Sequence, residues 1–191
     1  MKILFLLHGL PPGDVGGTES YALALARTLQ GQGAVVVIVH GSSQSAPEPR
    51  RHLVERRGLR VHVIERHGLF LDRWDRTDSD TAAAQIREIL REERPDVVHV
   101  HHWLRLTRGL VALIHEQGIP VVITLHDTWI SCPRAFRIRE GHFCDRPLSV
   151  ESCLTCVPRE SWQEDDEVTL HLRQFLADNL EDLRLANRVI A

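Results

Sequence analysis

Four cysteines, Cys132, Cys144, Cys153 and Cys156, fall in the spacing C-x11-C-x8-C-x2-C. A closing C-x2-C lets two thiolates reach one ion from a tight turn, and four sulfurs complete a tetrahedral zinc shell with no vacant position. The expectation is therefore a structural zinc, with a set of unrelated buried thiols as the alternative. An iron–sulfur cluster fits less well, because the spacing matches no ferredoxin run. A second constellation is histidine-rich. His8, His40, His101–His102 and His126–Asp127 each follow an apolar run. A third is the loop Pro11–Pro12–Gly13–Asp14–Val15–Gly16–Gly17–Thr18–Glu19, which lacks both the G-x-G-x-x-G fingerprint and a following Gly-Lys-Ser/Thr. Its glycines still allow close backbone approach, and a helix starting there would offer unpaired N–H groups to an anion.

The elements that must hold these groups alternate along the chain. Lys2–Leu7, Ala34–Val39, Arg60–Glu65, Asp96–His101 and Pro120–Leu125 read as strands, the third of them less buried or nearer an edge. Helical spacing of apolar residues marks 19–30, 79–93, the stretch around Leu106–Ile114, and Leu172, Phe175, Leu176, Leu180 and Leu183. Residues 41–50 read as a polar loop, and 66–78 carry no firm pattern. From His126 to Glu167 no period is visible, and every cysteine lies there. Strands alternating with helices predict an α/β fold with a doubly wound, Rossmann-like parallel sheet. Ligands of such sheets bind outside the carboxyl ends of the strands, at a topological switch point, which is where the histidines fall. Arg188–Ala191 opens a further apolar strand at the chain end, as expected of an excised domain.

At 191 residues with 43% hydrophobic content, one core and one domain are expected. A formal charge of −3 gives no electrostatic reason for a nucleic-acid partner. The apolar run Ile3–Leu7 is shorter than the roughly 7–15 residues of a signal peptide's core, and no stretch nears the ~18 of a spanning helix. A cytoplasmic protein is expected, with at most a peripheral contact at the inner face of the membrane. In a reducing compartment, two structural disulfides are not expected.

The opening MKILFLLHGLPPGDVGGTESYALALARTLQGQGAVVVIV, together with RPDVVHVHH, GIPVVITLHDTWISCPR and the closing ANRVIA, resembles family 4 glycosyltransferases of the GT-B fold. The resemblance runs the length of the chain, in order and with matching spacing. It implies that residues 1–191 are the N-terminal, acceptor-side domain, carrying a Cys-rich insertion over 127–166. The C-terminal domain, which holds most of the nucleotide site and a Glu-x7-Glu pattern, would be the chain's missing partner.

On that resemblance the enzyme moves a hexose from a nucleotide-sugar donor to a glycan, lipid-linked or small-molecule acceptor with retention of configuration. Such reactions serve polysaccharide biosynthesis, among other routes. Gly16 and Gly17 would touch the donor's sugar or diphosphate across the cleft. His126 would face the transferred sugar in the catalytic position, and Glu19 would contact the acceptor. His102 and Asp127 share that rim as candidate binding residues. No nucleophile–base signature such as G-x-S-x-G is present, in keeping with catalysis by positioning and by stabilising the departing diphosphate. The isolated domain is expected to be inactive. Two other readings stand beside this one: half of a sugar-nucleotide epimerase, and a non-catalytic, zinc-stapled module that binds a glycan or protein.

Overall fold

The computed structural model describes residues 1–67, Trp74 and 79–191. Seven strands form one sheet: β1 (Lys2–Leu7), β2 (Val35–Gly41), β3 (Arg50–Arg56), β4 (Leu59–Glu65), β5 (Val97–Val100), β6 (Val121–Thr124) and β9 (Arg188–Ile190). Their order is β3-β4-β2-β1-β5-β6-β9, and every pairing is parallel except β3 with β4. Among the described residues the α-helices are α1 (Gly17–Gly31), α2 (Asp80–Glu93), α3 (Leu110–His115), α4 (Val150–Cys153) and α5 (Asp165–Leu185). Chain order steps outward from β1 in both directions, so the switch point lies between β1 and β5. This is the doubly wound sheet the alternation predicts.

The strand period of two sorts the core into two layers. Ile3, Phe5 and Leu7 of β1 pack with Ala22 and Ala26 of α1. Leu4 and Leu6 point the other way, into a larger cluster built on α2, α3 and α5 through Ile86, Ile89, Leu110, Ile114, Leu172 and Phe175. Burial on both faces is why the central strands read as unbroken apolar runs.

Several expectations change. Past the polar loop, residues 50–56, which carry no clear pattern, form a strand: β3 pairs antiparallel with β4 through a tight turn at Arg57 (φ 53°) and Gly58 (φ 77°). Two positive φ values match the mirror-image turns that suit hairpin twist. Charges hide this strand in the sequence, since Arg50, Arg51, Glu55 and Arg56 line an edge that faces water. β4 lies second from the edge, in keeping with a strand nearer an edge, but it is well buried. The helix expected around Leu106 begins only at Leu110, after Gly109.

In α5, Asn179 and Asp182 turn inward while Leu180 is 49% exposed. Both polar groups have partners there: Asn179 Nδ2 donates to Ile130 O at 3.2 Å, and Trp103 Nε1 donates to Asp182 Oδ2 at 2.6 Å. The aperiodic stretch holds a two-stranded ribbon, β7 (Ile138–Arg139) with β8 (His142–Phe143), and the single-turn α4. The unpatterned residues 66–78 lie mostly outside the described residues.

Candidate functional site

At the carboxyl ends of β1, β5 and β6 a crevice of about 800 Å³ opens, and Gly16, Gly17, Glu19, His102, His126 and Asp127 all line it. The topology explains the gathering. β1 delivers His8, β5 delivers His101 and His102, and β6 delivers His126 and Asp127 to one rim. The β1–α1 loop brings the glycines and Glu19 over it. α1 starts at Gly17 with Gly16 as N-cap, and no side chain caps it. The first-turn N–H groups thus have no intrahelical acceptor and stand at the crevice.

The two glycines differ in what they permit. A Cβ on Gly16 would lie 2.7 Å from Glu19 Oε2, so its bareness makes room for that buried carboxylate. A Cβ on Gly17 would meet nothing within 4 Å and would face open space. Glu19 Oε1 in turn lies 2.8 Å from His8 Nε2.

His126 sits in a chain of imidazoles. Its Nε2 is 2.9 Å from Nδ1 of His101, which is 1% exposed; His101 lies against His99 with ring centroids 4.1 Å apart; and His99 Nε2 is 2.7 Å from Thr124 Oγ1. Burial lowers the pKa of all three rings, and a proton on any one would repel a proton on its neighbours. His99 falls to about 4 and His101 to about 2. The rings are therefore neutral at physiological pH, and one N–H donates to the other's lone pair between His101 and His126. Tyr21 closes on His126 from α1, edge to face at 5.0 Å between centroids.

Asp127 is arranged oppositely. Burial works to raise its pKa, but His102 at 3.6 Å and the Trp129 N–H at 2.8 Å outweigh that and hold it below the usual carboxylate value. The crevice thus pairs neutral rings with an ionised carboxylate.

His40 is the rim histidine that does not join. Arg105 spans from His8 O at 3.0 Å to Asp14 Oδ1 at 2.7 Å. Its backbone presses so closely on Gly41 that a Cβ there would approach within 2.6 Å of Arg105 O. This partition leaves His40 on a separate cavity. Sequence reasoning also missed Tyr21, Trp129 and Arg134, which line the crevice. Tyr21, the single tyrosine of the chain, could have been found one helical turn past Gly17. Trp129 and Arg134 carry no periodic signal, because they lie in the aperiodic segment.

The closed zinc shell requires correction. Cys132, Cys144, Cys153 and Cys156 do converge, lining one small cavity of about 30 Å³, and all four are free thiols. Yet among the described residues no group of three or more His, Cys, Asp or Glu is arranged to hold a metal ion. Spacing decides which thiols can approach one another, not where their sulfurs point. Here Arg134 Nη1 donates to Cys156 Sγ at 3.5 Å, and burial raises the Cys153 pKa.

With this geometry in view, the comparisons decide the family. A family model described as Glycosyltransferase Family 4 matches residues 15–191. The chain belongs to that family. It is 34% identical over 120 residues to a D-inositol 3-phosphate glycosyltransferase of Nocardioides sp., covering 60% of this chain and 25% of the relative. A protein of the same name from Xylanimonas cellulosilytica is 35% identical over 119 residues, covering 60% and 28%. The chain thus spans about a quarter of the length of these relatives.

Among solved structures, an α,α-trehalose-phosphate synthase from Burkholderia xenovorans superposes over 99% of this chain and 40% of its own, with TM-score 0.54 at 12% identity. A trehalose 6-phosphate synthase from Burkholderia multivorans covers 98% and 38%, with TM-score 0.52 at 12% identity. These likenesses establish the Rossmann-like GT-B fold. Family membership favours the glycosyl-transfer expectation over the epimerase half-domain and the binding module. No helix among the described residues is long and apolar enough to cross a membrane.

Proposed function

We propose that this chain is the acceptor-side half of a glycosyltransferase that moves a sugar from a nucleotide-sugar donor to a hydroxyl acceptor. The observation that carries this reading is the single crevice of a Glycosyltransferase Family 4 domain in which Gly16, Gly17, Glu19 and His126 meet. The uncapped N-terminus of α1, with open space at Gly17, suits an incoming diphosphate or sugar. Neutral His126, tied to His101, offers a hydrogen bond to a sugar hydroxyl without adding charge. Glu19 and ionised Asp127 suit acceptor hydroxyls. Acceleration on this scheme comes from orientation and from charge stabilisation on the leaving diphosphate, not from a protein nucleophile.

The nucleotide would be held by a C-terminal domain partnering this one in a cytoplasmic enzyme. The relatives' names point to a phosphorylated polyol as one acceptor class, beside lipid-linked and glycan acceptors. Calorimetry of this chain with UDP-, GDP- and ADP-sugars is the direct test. Weak or absent binding is expected; a Kd near ~1 μM, about −8 kcal/mol, would overturn the acceptor-side assignment.

A further inference from the structure

A hollow of about 380 Å³ lies between α1 and the β3–β4 hairpin and shares no lining residue with the crevice. Its floor is the smaller core layer, where Leu10, Leu59 and Val61 are buried. Leu59 and Val61 stand two apart on β4 and so share one face of that strand. Leu23 and Arg27 stand four apart on α1, which puts an apolar and a cationic side chain on one strip of the helix.

Three cations line this apolar hollow: Arg27 from α1, with Arg56 and Arg57 from the hairpin. Among the described residues no carboxylate lines it, and these three guanidiniums form no ion pair. Acids are not scarce, since the chain carries 26 Asp and Glu against 23 Lys and Arg. Along the same hairpin, Arg50, Arg51 and Arg60 each meet a glutamate: Glu65, Glu92 and Glu93. Arg56 gives one N–H to Pro11 O at 3.3 Å, out of the five a guanidinium carries. Arg57 holds φ 53°, at a turn position where asparagine or glycine would be relaxed. The turn itself makes no demand for a long cationic side chain there.

Converging like charges over low-dielectric walls focus their field on whatever anion enters. The planar fork of arginine matches phosphate oxygens. A phosphate brings up to about two charges and three acceptor oxygens to three forks, where a carboxylate brings one charge and two oxygens. The volume lies within the roughly 300–1,000 Å³ of small-molecule sites. We propose that this hollow is a second binding site, separate from the crevice, for an organic phosphate that carries an apolar body. The phosphate lies among Arg27, Arg56 and Arg57, and the apolar part covers Leu10, Leu59 and Val61. A soluble phosphate ester and the headgroup end of a lipid phosphate offer the same chemistry.

Amide NMR of this chain, titrated with inorganic phosphate and with hexyl phosphate, tests the site at its own residues. Hexyl phosphate should shift the Leu23, Arg57 and Gly58 amides saturably. At those amides it should bind at least about tenfold tighter than inorganic phosphate, because its methylenes leave water. Arg27→Gln combined with Arg57→Asn should weaken hexyl phosphate at least about tenfold and leave the melting temperature in place. Both positions are exposed, and asparagine suits the turn. Sedimentation with phosphatidylcholine vesicles, with and without phosphatidic acid, separates the two sources. Capture by the phosphatidic acid vesicles alone, lost in the double variant, assigns a lipid phosphate; no capture beside saturable hexyl phosphate binding assigns a soluble ester. The proposal is overturned by the absence of a saturable hexyl phosphate shift at these amides. Equal affinity for inorganic phosphate, or unchanged affinity in the double variant, would overturn it too.

Discussion

On the proposed function, single substitutions at His126 and Gly17 should separate activity from stability. Gly17 has an extended neighbour at its N-cap and open space where a Cβ would go, so the fold makes no steric demand for glycine there. His126 contributes one hydrogen bond to His101 and an edge contact to Tyr21, neither of which anchors the core. In the full-length enzyme, Gly17→Val or His126→Ala should therefore lower turnover by roughly 100-fold or more, as loss of a positioned electrostatic contact does. The melting temperature should move by only a few degrees, the scale of about 1 kcal/mol. Steady-state kinetics beside thermal melts decide the point; retained activity with a collapsed melting temperature would make both residues structural. The glycines and His126 were legible in the sequence because a Gly-Gly before a helix and a histidine after a strand are local features. Tyr21 and the His99–His101 support were not, since their meaning depends on which ring lies beside them.

At the scale of elements, local chemistry and tertiary demand agree in some places and part in others. α2 begins as its sequence requires: the Ser79 side chain accepts from the Ala82 N–H at 3.2 Å, and its inward face is Ala82, Ile86, Ile89 and Leu90. Ser79→Ala should cost about 1 kcal/mol, measured by denaturant unfolding, with the crevice unaffected. A loss below about 0.3 kcal/mol would mean that the cap is dispensable. α5 shows the contrary case. Its apolar spacing would bury Leu180, yet Asn179 and Asp182 occupy the inner face because a carbonyl and an indole N–H wait for them. β3 went unread for a related reason: an edge strand need bury little, so its residues carry charge in place of alternation.

For the whole molecule, the buried titratable groups set how stability responds to acid. Unfolded histidine titrates near 6.5, whereas native His99 and His101 wait until about 4 and about 2. Between pH 6.5 and about 4 the unfolded chain thus takes up two protons that the native chain refuses. Asp182 opposes this. Burial raises its pKa from 3.8 to about 7, so the native chain holds one proton there that the unfolded chain lacks. The difference is one proton in favour of unfolding, so these groups lower stability by roughly 1.4 kcal/mol for each unit of falling pH.

Below pH 4.5 Glu93 adds in the same direction. Burial alone would raise its pKa, but hydrogen bonds from Lys2, His62 and Arg60 hold it at about 2. Melting temperatures recorded from pH 6.5 down to 4 should fall, and Asp182→Asn should steepen the fall by removing the opposing proton. A flat profile in both chains would show that the histidine burial is not maintained in solution.

What the sequence determined alone is the part of the protein that repeats at short range. Apolar runs and helical stripes set the strands, the helices and the doubly wound order, because burial on both faces leaves a continuous signature. The same alternation put histidines and glycines at one rim, since strand ends in such a sheet share an edge. Only the tertiary structure decided which rim residues meet. Gly41 admits the Arg105 backbone, and the Arg105–Asp14 pair then divides His40 from His8 and His126, which are separated by no feature of the sequence. The cysteines make the same point: their spacing brought four thiols to one cavity, but the Arg134 contact to Cys156 and the burial of Cys153 come from the tertiary structure. Side-chain direction depends on long-range neighbours, and a period of two or 3.6 residues carries no record of them.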